Sequence, residues 1–155
     1  MKRVVLDTNV LVSGAYDDLS ASWKIVEACM RRELTAIVSP ALRSEYEEIL
    51  AKAVKVRGHQ EQVQQFLAAA QIVHPSATPR VVQDDPEDDK VLAAAVEGRA
   101  DAVITNDAHL LHLDPYQPEG SSVQIRIVRP LTFENLRSEE HGSNWHDLTR
   151  LIGIR

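Results

Sequence analysis

The sequence predicts an α/β fold, a three-layer α/β/α arrangement with a mainly parallel central sheet. Short apolar segments alternate along the chain with longer segments whose apolar residues recur at helical spacing. Strands that are joined by helices pair in parallel, and parallel sheets are covered by helices on both faces. The 155 residues are enough for one compact domain with a core of its own.

The first half of the chain predicts one β-α-β unit followed by two helices. The first strand ends just before Asp7, and polar residues that could cap a helix or line a crevice follow it. Ser39 and Pro40 are typical of a helix start, a capping serine before a proline at the first helical position. The predicted elements are a strand at 2–6, a helix at 22–33, a strand at 34–38, a helix at 41–54 and a helix at 60–73.

The second half continues the alternation after a loop at 74–80 and an acidic loop at 83–89. Gly98 is placed to end a helix, since glycine is common just past the last helical residue. We expect a main domain over residues 1–137 and a C-terminal tail over 138–155 with the spacing of a small amphipathic helix. The predicted elements are a helix at 90–98, a strand at 102–105, a short helix at 106–113, a loop at 114–122, a strand at 123–128 and a short helix at 130–137.

Composition indicates a protein of a reducing compartment. Cys29 is the single cysteine, so no internal disulfide can form, and no apolar run reaches the roughly 18 to 20 residues of a membrane span. We therefore expect a cytoplasmic protein without membrane contact. The 17 basic and 23 acidic side chains give a formal net charge of -6, which argues against nucleic-acid binding. This objection weakens if several carboxylates hold divalent cations where a phosphate would lie.

Four acidic residues are expected at one edge of the sheet. Asp7 ends the first strand, and Asp107 follows the strand at 102–105. Asp89 and Glu45 lie near the starts of helices, and strand ends and helix starts share the edge where open parallel sheets bind ligands. Taken singly, each acid could be only a helix cap, a turn residue or a solvated helix residue. Together they would repel one another unless they take up protons or bind a hard cation, and oxygen ligands suit Mg²⁺ or Mn²⁺.

Four short motifs carry a family resemblance. The motifs are VVLDTNVLVS at 4–13, SEYEEIL at 44–50, DPEDDK at 85–90 and VITND at 103–107. In this order and spacing they resemble the PIN-domain ribonucleases, and within them the VapC-like toxins of prokaryotic type II toxin-antitoxin pairs. The similarity extends over roughly residues 2–136, and the tail beyond Arg137 has no counterpart in it.

The resemblance implies a PIN-like fold and an endoribonuclease that hydrolyses RNA phosphodiester bonds with Mg²⁺ or Mn²⁺. The residues that it implies as metal ligands are Asp7, Glu45, Asp89 and Asp107. A water activated by the metal would attack the phosphodiester, with Glu45 as a ligand or as the base. The resemblance also implies a small cognate antitoxin protein as partner, and a homodimer.

Three further residues would support this cluster if the resemblance holds. Asn9 and Thr105 would hold the acidic ligands through hydrogen bonds. Asp88, like Asp85, stands close enough to Asp89 to assist it or to take its place. We favour Asp89 because it lies one turn before a run of small residues, as it does in the family.

Positive charge for RNA is expected at the end of the helix that carries Glu45. Lys52, Lys55 and Arg57 lie there and could track a phosphate backbone. A solvated helix face is the ordinary alternative for such a stretch.

Two other functions compete with a ribonuclease. A phosphoacceptor receiver domain also has acids at strand ends. Arg129-Pro130 of this chain weakly resembles the lysine and proline that end the final strand of a receiver domain. A receiver needs an acid pair after the first strand, however, and this chain has Asp7 alone. The second competitor is a catalytically inactive PIN-like module that binds RNA or protein, and the presence of all four acids argues against it.

Overall fold

The computed structural model of the chain describes residues 1–53, 57–76 and 86–151, and at 53, 57–59, 86–88 and 141–151 it describes the backbone alone. The described strands are β1 (Arg3–Leu6), β2 (Thr35–Val38), β3 (Gln71–Ile72), β4 (Ala102–Ile104) and β5 (Arg126–Val128). The described helices are α1 (Thr8–Tyr16), α2 (Ala21–Met30), α3 (Pro40–Ala53), α4 (Arg57–Ala69), α5 (Pro86–Glu97), α6 (Ala108–Leu111) and α7 (Pro130–Leu151).

The strands of the described chain form one parallel sheet in the order β3-β2-β1-β4-β5. Strand β1 lies at its centre, where Val4 is opposite Ala36 of β2 and Ala102 of β4. On the outer side of β4, Ile104 is opposite Val128 of β5. Because every pair is parallel, all the carboxyl ends meet at one edge of the sheet. The predicted three-layer α/β/α fold is confirmed.

The core lies between the central strands and the helices that cover them. All of β4, and β1 from Val4 to Leu6, is at most 1% exposed. Helix α5 packs against β1, β2 and β4, while α2 packs against α1, α4 and α7. Strands that are buried on both faces have no polar side to present, which explains why their sequences are continuous apolar runs.

Helix α1 forms where the sequence predicts only capping residues after β1. Val10, Leu11 and Ala15 give it a buried face. It approaches α2 closely because Gly14 has no side chain, and a Cβ at this position would lie 3.2 Å from the Trp23 backbone nitrogen. The chain therefore turns back immediately after Asp7, which holds the first residues of α1 at the carboxyl edge.

The predicted helix at 60–73 is wrong at its end. Helix α4 ends at Ala69, and the next residues form β3, which pairs with Ile37 and Val38 of β2. The pairing continues into the following residue, since the Val73 N–H donates to the Val38 carbonyl at 3.0 Å. Pairing with a neighbouring strand outweighs the helical pattern here, because strand formation depends more on tertiary context than on local propensity.

Helix α5 begins at Pro86, four residues before the predicted start. A proline suits this first helical position because its missing N–H would have no partner there. The acidic segment 83–89 is thus helical from Pro86 onward and not the predicted loop, while 83–85 lie outside the described residues. The prediction that Gly98 follows the helix end is confirmed. A side chain would fit there only if Ile37 moved, since a Cβ would lie 2.4 Å from Cγ2 of Ile37.

Helix α7 continues past its predicted end at residue 137 to Leu151. The backbone is one helix across the expected boundary between main domain and tail, and that division stays a prediction. Near this boundary, Arg137 donates to Glu33 of the α2–β2 turn at 3.3 Å and to Glu134 at 3.0 Å. None of the described helices is both long and apolar enough to cross a bilayer.

Candidate functional site

Two of the predicted site residues lie just after the ends of neighbouring strands, at the carboxyl edge of the sheet. Asp7 follows β1, and Asp107 lies two residues beyond Thr105, which follows β4 directly. The Asp7 N–H donates to the Ile104 carbonyl at 2.9 Å, so the β1–β4 ladder continues into the first residue of the site. The sheet therefore places two acids that are 100 positions apart in the sequence on adjacent strand ends.

A buried threonine hydroxyl connects these two acids. Thr105 Oγ1 donates to Asp7 Oδ2 at 2.7 Å and accepts the Asp107 N–H at 2.9 Å. Asn9 Nδ2 donates to the same Asp7 oxygen at 3.1 Å. Thr105 is fully buried and Asp7 is 8% exposed, so the Asp7 carboxylate has exchanged most of its water for these donors.

The turn after β4 is fixed by two further hydrogen bonds. Asp107 caps α6, since its Oδ1 accepts the His109 N–H at 2.9 Å. The Asn106 N–H donates to Asn9 Oδ1 at 3.3 Å, which makes a second connection between the exits of β1 and β4. The Asp107 side chain is therefore oriented by its own backbone turn, as helix-capping acids commonly are.

Glu45 reaches the same region from α3. It lies in the second turn of this helix and is half-buried. Its Oε2 accepts a hydrogen bond of 2.6 Å from Oγ1 of Thr8, the residue after Asp7. Three of the predicted acids, Asp7, Glu45 and Asp107, are thus joined through threonine and backbone groups of two strand exits.

Tyr46 anchors α3 to β1 directly below this cluster. It is fully buried, its hydroxyl donates to the Leu6 carbonyl, and its ring packs edge-on against Phe66 with centroids 6.3 Å apart. Burial raises the pKa of Tyr46 well above its ordinary value, and the charges of Asp7 and Glu45 raise it further. The hydroxyl consequently remains a donor, and both carboxylates lie within electrostatic reach of it.

Asp89 lies in the first turn of α5 and is 6% exposed. Its negative charge acts on Tyr116, which lies between α6 and β5: the pKa of Tyr116 is raised first by burial and then by the charges of Asp89 and Glu119. The side chain of Asp88 lies outside the described part of the chain, as does all of Asp85.

A hard divalent cation fits the chemistry of this donor set, since all the donors are carboxylate oxygens. In the described part of the chain, however, no three histidine, cysteine, aspartate or glutamate side chains already converge on one point that could hold an ion. Two of the carboxylates, Asp7 and Glu45, are instead engaged with hydroxyl groups.

Of the basic residues predicted to contact RNA, Lys52 alone has a described side chain, and it lies away from the acids. Lys52 is in the last turn of α3, exposed, and pairs with Glu48 at 3.2 Å. Lys55 lies outside the described residues, and Arg57 is described by its backbone alone. Along a helix, the seven residues from Glu45 to Lys52 span about 10 Å.

The sequence indicated Thr8 only as a residue that could cap a helix or line a crevice, and it indicated no role for Tyr46. Thr8 stands between Asp7 and Asn9 in a run of polar residues, and only the packing of α1 against α3 shows that its hydroxyl meets Glu45. Tyr46 follows Glu45 directly, and its full burial could have been expected from the apolar side of α3, which also includes Leu42 and Leu50. Its hydrogen-bond acceptor on β1 could not have been expected from the sequence.

The sequence of residues 3–109 matches the family model described as PIN domain. The uncharacterized protein MJ1680 of Methanocaldococcus jannaschii is 26% identical over 139 residues, which cover 84% of this chain and 88% of that protein. The fold is similar to that of a chain in the crystal structure of VapBC2 from Rickettsia felis bound to a DNA fragment from their promoter. That likeness has a TM-score of 0.50 and 18% identity, covers 68% of this chain and 87% of the other, and shows a shared fold.

Proposed function

Because this chain belongs to the PIN domain family, we propose that it is an endoribonuclease that hydrolyses RNA phosphodiester bonds with Mg²⁺ or Mn²⁺. The residues that would hold the cation are Asp7, Glu45, Asp89 and Asp107. Asn9 and Thr105 would position these ligands, and Asp88 would assist Asp89. The observation that carries the proposal is the Thr105 hydroxyl bridge between Asp7 and Asp107 at the carboxyl edge of adjacent strands.

An acid buried at the end of β1 serves a binding site better than it serves stability. Removing a carboxylate from water costs free energy unless hydrogen bonds or a cation offset its charge. A stable fold would be reached more easily with a neutral residue at Asp7, which is almost fully buried. Such an arrangement is typical of functional sites, where acids are held in place for a ligand that offsets their charge.

The chain's own residues would act by orientation and proton transfer. When bound, the cation would supply positive charge beside the scissile phosphate and make water more acidic. Glu45, held by Thr8, would either complete the ligand set or accept the proton from the attacking water. The new bond joins the water oxygen to phosphorus, and the bond from phosphorus to the leaving ribose oxygen breaks.

The test is cleavage of a mixed-sequence RNA by the purified protein with Mg²⁺ or Mn²⁺, with EDTA, and with the variant Asp7→Asn. We expect EDTA to abolish cleavage, and Asp7→Asn to slow it by at least about a hundredfold. Asp18→Asn is the matched control, because Asp18 is exposed in the turn after α1 and its loss changes the net charge equally. RNA binding without any cleavage by the unaltered protein would instead favour an inactive binding module.

A toxin of a toxin-antitoxin pair is the biological role that we propose for this activity. The fold shared with a chain of VapBC2 supports it. The partner would be a small antitoxin protein, and the toxin would form a homodimer in the cytoplasm. Co-expression with the adjacent reading frame should give a complex in which RNA cleavage is suppressed, and light scattering on the toxin alone should give the mass of two chains.

A further inference from the structure

A positively charged side chain, that of Arg129, lies just after the end of β5, next to the acidic site. Since Val128 is opposite Ile104, the next residue of β5, Arg129, leaves the sheet beside Thr105. The Arg129 side chain is exposed, and its Nη1 lies 3.4 Å from the carbonyl oxygen of Asn106, the residue before Asp107. The guanidinium is thus held within one residue of a proposed metal ligand.

Arg129 has no carboxylate within ion-pair distance among the described residues. Its neighbour Arg126 differs, since its Nε lies 3.0 Å from Oδ1 of Asp114 and its charge is largely offset there. A guanidinium has five N–H donors, and a single long contact with a carbonyl leaves most of them available. Arg129 therefore has both the charge and the donors for an anionic ligand.

The space beside Arg129 is a cavity of about 460 Å³ between α6, β5 and the start of α7. His112, Arg126 and Thr132 contribute its polar lining together with Asp114. This volume falls in the range of about 300–1,000 Å³ that is usual for small-molecule sites. Helix α7 also begins here, so that its positive dipole end adds to the field of Arg129.

We propose that Arg129 binds a phosphate of the RNA backbone next to the cleaved bond, and that the adjoining cavity receives the nucleotide on that side. The proposal rests on the proposed function, because it takes the acids at Asp7 and Asp107 as the point of cleavage. A guanidinium can bind two phosphate oxygens at once, which fixes the direction of the strand as well as its position.

This site accounts for RNA binding by an acidic protein better than the end of α3 does. Lys52 is about 10 Å from Glu45 along the helix and shares its charge with Glu48. Arg129 instead follows β5, the neighbour of β4, and Asp107 lies three residues beyond the end of β4. Local positive charge at the site matters more for a phosphate than a net charge that is spread over the surface.

The experiment measures the affinity of a fluorescent single-stranded RNA by anisotropy, in EDTA, over a series of salt concentrations. Arg129→Gln is compared with the unaltered protein and with Arg99→Gln. Arg99 is the matched control because it is an exposed arginine just before β4, at the opposite edge of the sheet. Thermal unfolding of each variant checks that the fold is retained.

We expect Arg129→Gln to weaken RNA binding by roughly tenfold at low salt. The affinity of Arg99→Gln should stay close to that of the unaltered protein. The slope of log affinity against log salt should become shallower by about 0.7, the value for one lost phosphate contact with a single strand. Arg129→Lys should retain the slope and recover part of the affinity, since it keeps the charge but not the planar pair of donors. In cleavage assays the loss should fall mainly on KM.

Equal affinities and salt slopes for Arg129→Gln and Arg99→Gln would overturn this assignment, whatever the cleavage assay shows. So would the absence of RNA binding by the unaltered protein. Failure of the nuclease proposal has a different signature. In that case RNA binding depends on Arg129, yet the unaltered protein leaves the RNA intact with either cation.

Discussion

Replacement of Thr105 by valine tests how strongly the hydroxyl bridge holds the site. Valine keeps the shape and volume of threonine, so that the change removes the hydroxyl and leaves packing intact. Asp7 loses a 2.7 Å hydrogen bond to its buried carboxylate, and the Asp107 N–H loses its acceptor. A charge-assisted bond contributes about 1.5–3 kcal/mol and a neutral one about 1 kcal/mol, so we expect a loss of about 3 kcal/mol of unfolding free energy.

The measurement is urea denaturation in EDTA, so that no cation can offset the change. With a urea dependence of about 2 kcal/mol per molar, the midpoint should fall by about 1.5 M. Thr35→Val is the control, because Thr35 starts β2 and no hydrogen bond of its hydroxyl is found in the described chain. Its effect should stay within about 0.5 kcal/mol. A similarly small effect for Thr105→Val would refute the reasoning that this bridge organises the site.

Two further changes probe the interior. Burial raises the pKa of Cys29 to about 12 from 9.0, so the unfolded chain alone loses this proton above pH 9 and stability falls as the pH rises towards 12. The free energy of unfolding should fall by up to about 1.4 kcal/mol per pH unit because of this thiol, and Cys29→Ala should lack this contribution. Parallel pH profiles for the unaltered protein and Cys29→Ala would contradict this reasoning. Gly98→Ala should destabilise by about 1–3 kcal/mol, because the added Cβ overlaps the Ile37 side chain. A double-mutant cycle with Ile37→Ala should then give a combined loss smaller than the sum, and strict additivity would mean that the overlap is relieved elsewhere.

The strands of the central sheet could be located from the sequence because they are buried on both faces. In β1, β2 and β4 an unbroken apolar run ends in a polar residue, and each predicted strand lies within a residue or so of the observed one. Strand β3 could not be located in this way. It has two residues, both exposed, and its only distinguishing feature is its pairing with β2, which is a tertiary contact.

The candidate site could be predicted to the level of its acids but not of their partners. Asp7 and Asp107 follow strands, so their position at the carboxyl edge follows from parallel pairing. The hydroxyl of Thr8 donates to Glu45 only because α1 packs against α3, and nothing in the local sequence indicates that contact. Arg129 was visible as part of an Arg-Pro pair after the last strand, but its proximity to Asn106 depends on the register between β4 and β5.

The connection between Thr105 and Asp7 spans 98 positions of the chain, and this has a consequence for how the protein acquires its site. Closing a loop of that length costs about 4 kcal/mol of chain entropy, which must be offset before the contact forms. Non-local pairing of this kind is slow and arises with the fold as a whole. We therefore expect a chain still emerging from the ribosome to hold Asp7 without its partner until β4 arrives, so that the site cannot form before that strand has been made.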